Sequence, residues 1–127
     1  MINLRNPDLR TRDIRKLVGL KAQFVRWDEG CDETSEWVIA AVDSSRSIEK
    51  LLSWLNSKNV AEFTDCLITN SAWSKPEMIQ WHQLLDNPSK YFGNASFQLY
   101  DIDLKWVLEY ATQEVARFGV FDDQPNA

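Results

Sequence analysis

Glycine and proline are scarce in this chain, four of each in 127 residues, and cysteine and histidine are scarcer, with two and one. The glycines, at 19, 30, 93 and 119, stand alone, which excludes a glycine-rich phosphate cradle at the start of a helix. No repeat, low-complexity tract or linker is visible, so the chain reads as a single domain over 1–127, with 122–127 a frayed tail. Cys31 and Cys66 are too few for a disulfide scaffold or a zinc cage, and whether they pair stays open. The one histidine, His82, has no serine or cysteine placed beside it as a nucleophile. Gly-x-Ser-x-Gly, His-Glu-x-x-His and Cys-x-x-Cys are all missing, so no catalytic signature, cofactor or metal is expected. No apolar run approaches the ~18 residues of a membrane span. The first eighteen residues lack the apolar core of a secretory signal, and a cytoplasmic protein is expected.

What the chain does have is uneven charge and many rings. Arg5, Arg10, Arg12, Arg15, Lys16 and Lys21 outweigh Asp8 and Asp13, so the first 21 residues are basic while the whole carries −5. The acidic remainder argues against nucleic-acid binding, which needs cations to displace counterions. It suits a basic protein partner, because complementary fields speed encounter and set register.

The pattern predicts an α+β fold in the order αββαβαββα: a mostly antiparallel sheet of about five strands with helices on one face, a mixed sheet being the alternative. Asn6-Pro7 opens a first helix that Gly19 ends. Residues 21–28 and 36–43 read as strands joined in a hairpin, the second apolar on both faces and therefore central. Ile48, Leu51, Leu52 and Leu55 carry helical spacing behind Ser44, Ser45 and Ser47 as caps. Residues 61–69 form a strand, and Ser74-Lys75-Pro76-Glu77 reads as a capping box for a helix ending before Pro88. Residues 96–101 and 104–111 make a hairpin, and Thr112 caps a last short helix closed by Gly119.

Three places could carry chemistry. "WDEGCDETSEW" (27–37) sets Asp28, Glu29, Asp32, Glu33, Glu36 and Cys31 between Trp27 and Trp37. It lacks the regular acidic spacing of a calcium loop, so it reads as a solvated turn or a surface gripped by a partner. Asp101 and Asp103 flank a hairpin turn, where aspartates serve turn chemistry. With Lys105 they could instead be half of a metal-dependent nuclease or hydrolase centre. Trp73 sits in a polar loop, either a staple packed on the helix it precedes or exposed as an anchor for a partner.

Over its full length the chain resembles the small acidic immunity proteins of bacterial toxin systems, including those of contact-dependent growth inhibition. The acidic hairpin and "FQLYDIDLKWVLEYATQEVARFG" (97–119) carry the resemblance, which is one of general character without a diagnostic motif. It implies a cytoplasmic inhibitor, without metal or cofactor, that binds a cognate toxin, often a nuclease with a basic cleft. The residues it singles out are Asp28, Glu29, Asp32 and Glu33 for charge and Trp27 and Trp73 as anchors, with Asp101 and Asp103 a second acidic edge. Two other readings stay open: the small hydrolase using Asp101, Asp103 and Lys105, and a non-catalytic regulatory subunit that homodimerises through exposed aromatics.

Overall fold

Alternating apolar residues at 97–101 and 106–111 pair across a tight turn, and the rest of the sheet is built out from that hairpin. The computed structural model describes residues 10–22, 25–28, 30, 35–70, 72, 73 and 76–121. In chain order the elements are α1 (Thr11–Ala22), β1 (Val25–Trp27), β2 (Val38–Ile39), α2 (Ser45–Asn56), β3 (Asp65–Thr69) and β4 (Glu77–Gln80). They continue with α3 (Trp81–Asp86), α4 (Pro88–Tyr91), β5 (Phe97–Asp101), β6 (Trp106–Ala111) and β7 (Val115–Phe121). The α+β class and the antiparallel sheet are as expected, with seven strands among the described residues rather than about five. Their order is β1-β7-β6-β5-β3-β4, and β2 also pairs with β7.

Both faces of this sheet are covered. One carries the larger core, where Leu51 and Leu55 of α2 and Trp81 and Leu84 of α3 meet Leu99, Leu108 and Phe118. The other carries Leu67, Tyr100, Val107 and Phe121 beneath Ile14 and Val18 of α1. Helices on one face alone is therefore corrected. It also explains why β6 is buried at Trp106, Val107 and Leu108 in succession instead of alternating with solvent.

Several local expectations change for physical reasons. Residues 112–119 do not form a helix: Glu114 N–H closes a turn onto the Ala111 carbonyl, and β7 follows in the middle of the sheet. Val115, Phe118, Val120 and Phe121 are β-branched or aromatic, and period two sends Ala116 and Phe118 to one face and Phe121 to the other. Gly119 is a close-approach position, since a Cβ there would lie 2.6 Å from Val25 Cγ1 and 2.8 Å from Trp27 Cε3.

Residues 77–80, expected to be helical, form edge strand β4, and α3 starts only at Trp81, where the Gln83 side chain accepts from Gln80 N–H at 2.7 Å. Ser74 and Lys75 of the expected capping box lie outside the described residues. The run 36–43 is not a central strand. Only Val38 and Ile39 pair, at an edge, with Ile39 exposed, while Ala40 and Ala41 turn into the interior. Residues 61–64 precede β3 rather than joining it, which leaves Phe63 exposed. Gly19 does not end α1, which runs on to Ala22; the Asn6-Pro7 start lies outside the described residues. α2 is as expected, with Ser44 Oγ accepting from Ser47 N–H at 3.2 Å.

The two strands flanking the acidic stretch do not pair with each other. β1 and β2 lie one after the other along the same side of β7, Val25–Trp27 against Gly119–Phe121 and Val38–Ile39 against Val115–Ala116. They lie in line along one edge of the sheet, with residues 28–37 between them in the chain. Asp28 N–H bonds the Phe118 carbonyl at 2.8 Å as the chain leaves, and Gly30 N–H bonds the Ser35 carbonyl at 2.7 Å across the neck.

Candidate functional site: an acidic cavity at the end of the sheet

The end of α2 runs into β3 beside the β5–β6 turn, and there the chain leaves a cavity of about 440 Å³. Lys58, Phe63, Asp65, Asp101, Asp103 and Lys105 line it, along with Trp106. Its volume is within the ~300–1,000 Å³ of clefts that take a ligand or a partner's side chain.

Lys58 decides what the cavity joins. It lies in the turn after α2, where its N–H bonds the Leu55 carbonyl at 3.1 Å, and its side chain, 10% exposed, lies 5.0 Å from the ring centre of Trp54 and 5.3 Å from that of Phe118. Its Nζ donates to Asp28 Oδ2 at 2.8 Å. Asp28, next after β1, is thus tied through Lys58 to the cavity that Asp101 and Asp103 line. Of the first acidic edge Asp28 alone is described, and Lys58 links it to the cavity. Glu29, Asp32 and Glu33 lie outside the described residues, as does Cys31.

Asp101 is buried and serves the turn: its Oδ2 accepts from Lys105 N–H at 3.1 Å and its carbonyl accepts from Leu104 N–H at 2.8 Å. Burial raises its pKa above the ordinary carboxylate value and the Asp103 charge adds to that, while the Lys105 and Asp103 amides and the Lys105 ammonium oppose it. Asp103 is half-buried and Lys105 exposed, and both border the cavity. Asp65, on the neighbouring strand β3, accepts from Gln80 Nε2 at 3.4 Å. Among the described residues no three His, Cys, Asp or Glu side chains are grouped to hold a metal ion.

Trp27 and Trp73 both pack against the second core. The Trp73 ring stacks on Tyr100, centres 5.9 Å apart, so it packs on the sheet and not on a following helix. Trp27 is half-buried, with its ring over Gly119. Burial, and then the Glu109 carboxylate, push the Tyr100 hydroxyl pKa well up. His82 sits with Nδ1 3.0 Å from Asp86 Oδ2, Nε2 3.0 Å from Gln80 Oε1, and Phe63 edge-on to its ring. Cys66 is buried in the main core, and burial together with the Asp101 charge pushes its thiol up to about 12.

Sequence reasoning missed Lys58, Asp65 and Arg117. Lys58 left a faint signal, a cation continuing the apolar stripe of α2 (Leu51, Leu55) by one more turn. Asp65 left none, because its place depends on how β3 lies against β5. Arg117 was hidden by the helical reading of its segment. No helix among the described residues is long and apolar enough to cross a membrane. Set against protein-family models, curated proteins and solved structures, the chain matches none of them.

Proposed function

We propose that this protein is a cytoplasmic inhibitor of the immunity type, which neutralises a basic toxin domain by binding it at the acidic cavity. The observation that supports this is the convergence, through Lys58, of Asp28 with the wall formed by Asp65, Asp101 and Asp103. With Lys58 engaged by Asp28, the half-buried Asp103 on the same cavity offers carboxylate oxygens to an incoming arginine or lysine, and Asp65 adds negative charge beside it. Phe63, 71% exposed at the rim, offers an apolar surface beside them. A nuclease domain presents such cations in the cleft that binds nucleic acid, so covering them blocks its reaction without any chemistry by the inhibitor.

The test is affinity capture from the source cells at low and high salt, with the Asp65→Asn/Asp103→Asn variant as comparator. A basic protein retained in stoichiometric amount by the wild type, released by salt and poorly retained by the variant, is the expected result. Equal retention by the two proteins, or no specific protein at either salt, would refute the proposal.

A second reading draws on the same cavity, since it brings Asp101, Asp103 and Lys105 together as a small hydrolase would need. Asp101 already accepts a backbone hydrogen bond from Lys105, which sets it to the turn rather than to a metal. That reading predicts a Tm that rises with added Mg²⁺ or Mn²⁺, and the inhibitor reading predicts none.

A further inference from the structure

One row across four strands of the sheet reads Tyr100, Val107, Gly119 and Trp27. A valine and a glycine between two large rings leave a hollow in the second core. It measures about 200 Å³, and Phe121 of β7 adds a third ring to its wall. Ile14 and Val18 of α1 pack on the same cluster without lining this cavity. The next row supplies its polar end, where Glu109 and Arg117 stand directly opposite each other. Arg117 Nε donates to Glu109 Oε1 at 2.7 Å and Nη2 lies 2.6 Å from the same oxygen.

Size limits what the cavity takes. An apolar cavity of ~150 Å³ holds a benzene molecule, while clefts for drug-sized ligands begin near ~300 Å³. One ring with a small substituent fits between these bounds. The walls suit a ring, because aromatic pairs gain beyond the area they bury. They are also set in advance. Tyr100 stacks on Trp73 and on Phe121, with ring centres 5.9 and 6.4 Å away, and the Arg117 guanidinium carbon lies 3.7 Å from the ring centre of Trp27.

Tyr100 is only 8% exposed, yet nothing among the described residues hydrogen-bonds its hydroxyl. Among those residues no fully buried side-chain oxygen or nitrogen lacks a partner, so this hydroxyl is reached by solvent, through the cavity that Tyr100 lines. Burial, and then the Glu109 carboxylate, keep it protonated, so it offers both a donor and an acceptor. The Glu109 charge is already matched by Arg117, and an ion entering here would lose hydration without gaining a counter-charge. We propose that this cavity binds a small uncharged aromatic molecule bearing one hydroxyl or N–H, with its ring against Trp27 and Phe121 and its polar group bonded to the Tyr100 hydroxyl. The site shares no residue with the acidic cavity, so its test is independent of the inhibitor reading.

The experiment titrates the full chain with phenol, and with toluene as a probe of equal size that cannot hydrogen-bond, following backbone amide shifts by two-dimensional NMR. Both probes are expected to give saturating shifts centred on Tyr100, Val107 and Glu109, with Kd on the order of 1 mM. Tyr100→Phe keeps the stacked ring and removes the hydroxyl. It is expected to weaken phenol by ~5-fold, the worth of one neutral hydrogen bond, and to leave toluene no weaker than in wild type. Failure of either probe to saturate, or shifts centred on other residues, would overturn the proposal. So would a Tyr100→Phe variant that binds phenol as wild type does, or that loses both probes equally.

Discussion

Alanine at Gly119 and at Gly19 is expected to shift stability in opposite directions. Gly119 lies inside β7 under the Trp27 ring, and an alanine methyl there would meet Val25 Cγ1 at 2.6 Å and Trp27 Cε3 at 2.8 Å, with Arg26 O at 3.2 Å. None of these neighbours is the free end of a flexible chain. Val25 is β-branched and stiff, Trp27 is held by the Arg117 cation on its face, and Arg26 offers backbone. Relief must come from moving β1 away from β7, at the expense of the pairing of Val25–Trp27 with Gly119–Phe121. Forced overpacking of this kind costs ~1–3 kcal/mol. About 2 kcal/mol lowers Tm by roughly 6–10 °C in a domain of this size. Gly19, by contrast, lies within α1 with nothing within 4 Å of a built Cβ. Alanine there removes backbone entropy from the unfolded chain and is expected to stabilise by ~0.5–1 kcal/mol, or roughly 2–4 °C. Thermal melts followed by circular dichroism, with urea midpoints to check that the slope is unchanged, measure both. Gly119→Ala melting within about 1 °C of wild type would refute the close packing of β1 on β7. A loss of stability in Gly19→Ala would refute the continuous helix.

The remaining predictions concern the buried ionisable groups. Asp101 has a folded pKa raised above 3.8 by burial, so the native state holds its proton more tightly than the unfolded chain. Its contribution is fully present below that unfolded value and is lost as pH rises through the raised folded value. Asp101→Asn, which keeps an oxygen for Lys105 N–H, should therefore gain stability relative to wild type as pH rises across that window; a difference independent of pH would contradict the burial of the charge. Cys66, with its thiol pushed up to about 12 and its side chain in the core, should resist alkylation at pH 8 until the protein unfolds. Peptide mapping after timed iodoacetamide treatment measures this, and rapid native labelling of Cys66 would contradict it.

How far the sequence could be read depended on whether local pattern and tertiary placement agreed. α2 was legible because Leu51 and Leu55 fix a helical face and Ser44 caps it, with nothing competing. The β5–β6 hairpin was legible through period two and the aspartates of its turn. β7 was not, because Thr112, Val115, Phe118 and Gly119 imitate a capped and terminated helix, and in so short a run apolar residues three apart fit both periods. The interrupted edge strand was illegible for a different reason: β1 and β2 look like a hairpin until β7 is known to supply the partner for both. At the site, Asp28, Asp101 and Asp103 were recognisable as parts of two acidic stretches. The link of Asp28 to the cavity was not, since it depends on Lys58, thirty residues on, reaching back to it.

The central claim is that the cavity's carboxylates recognise a basic partner. Its most direct measurement is the association rate of the captured protein with wild type and with Asp65→Asn/Asp103→Asn across a range of ionic strength. The account predicts at least ~3-fold slower association for the variant at low salt, and a flatter dependence on salt, because steering by those charges has been removed. Identical rates and identical salt dependence for the two proteins would place recognition elsewhere and contradict it.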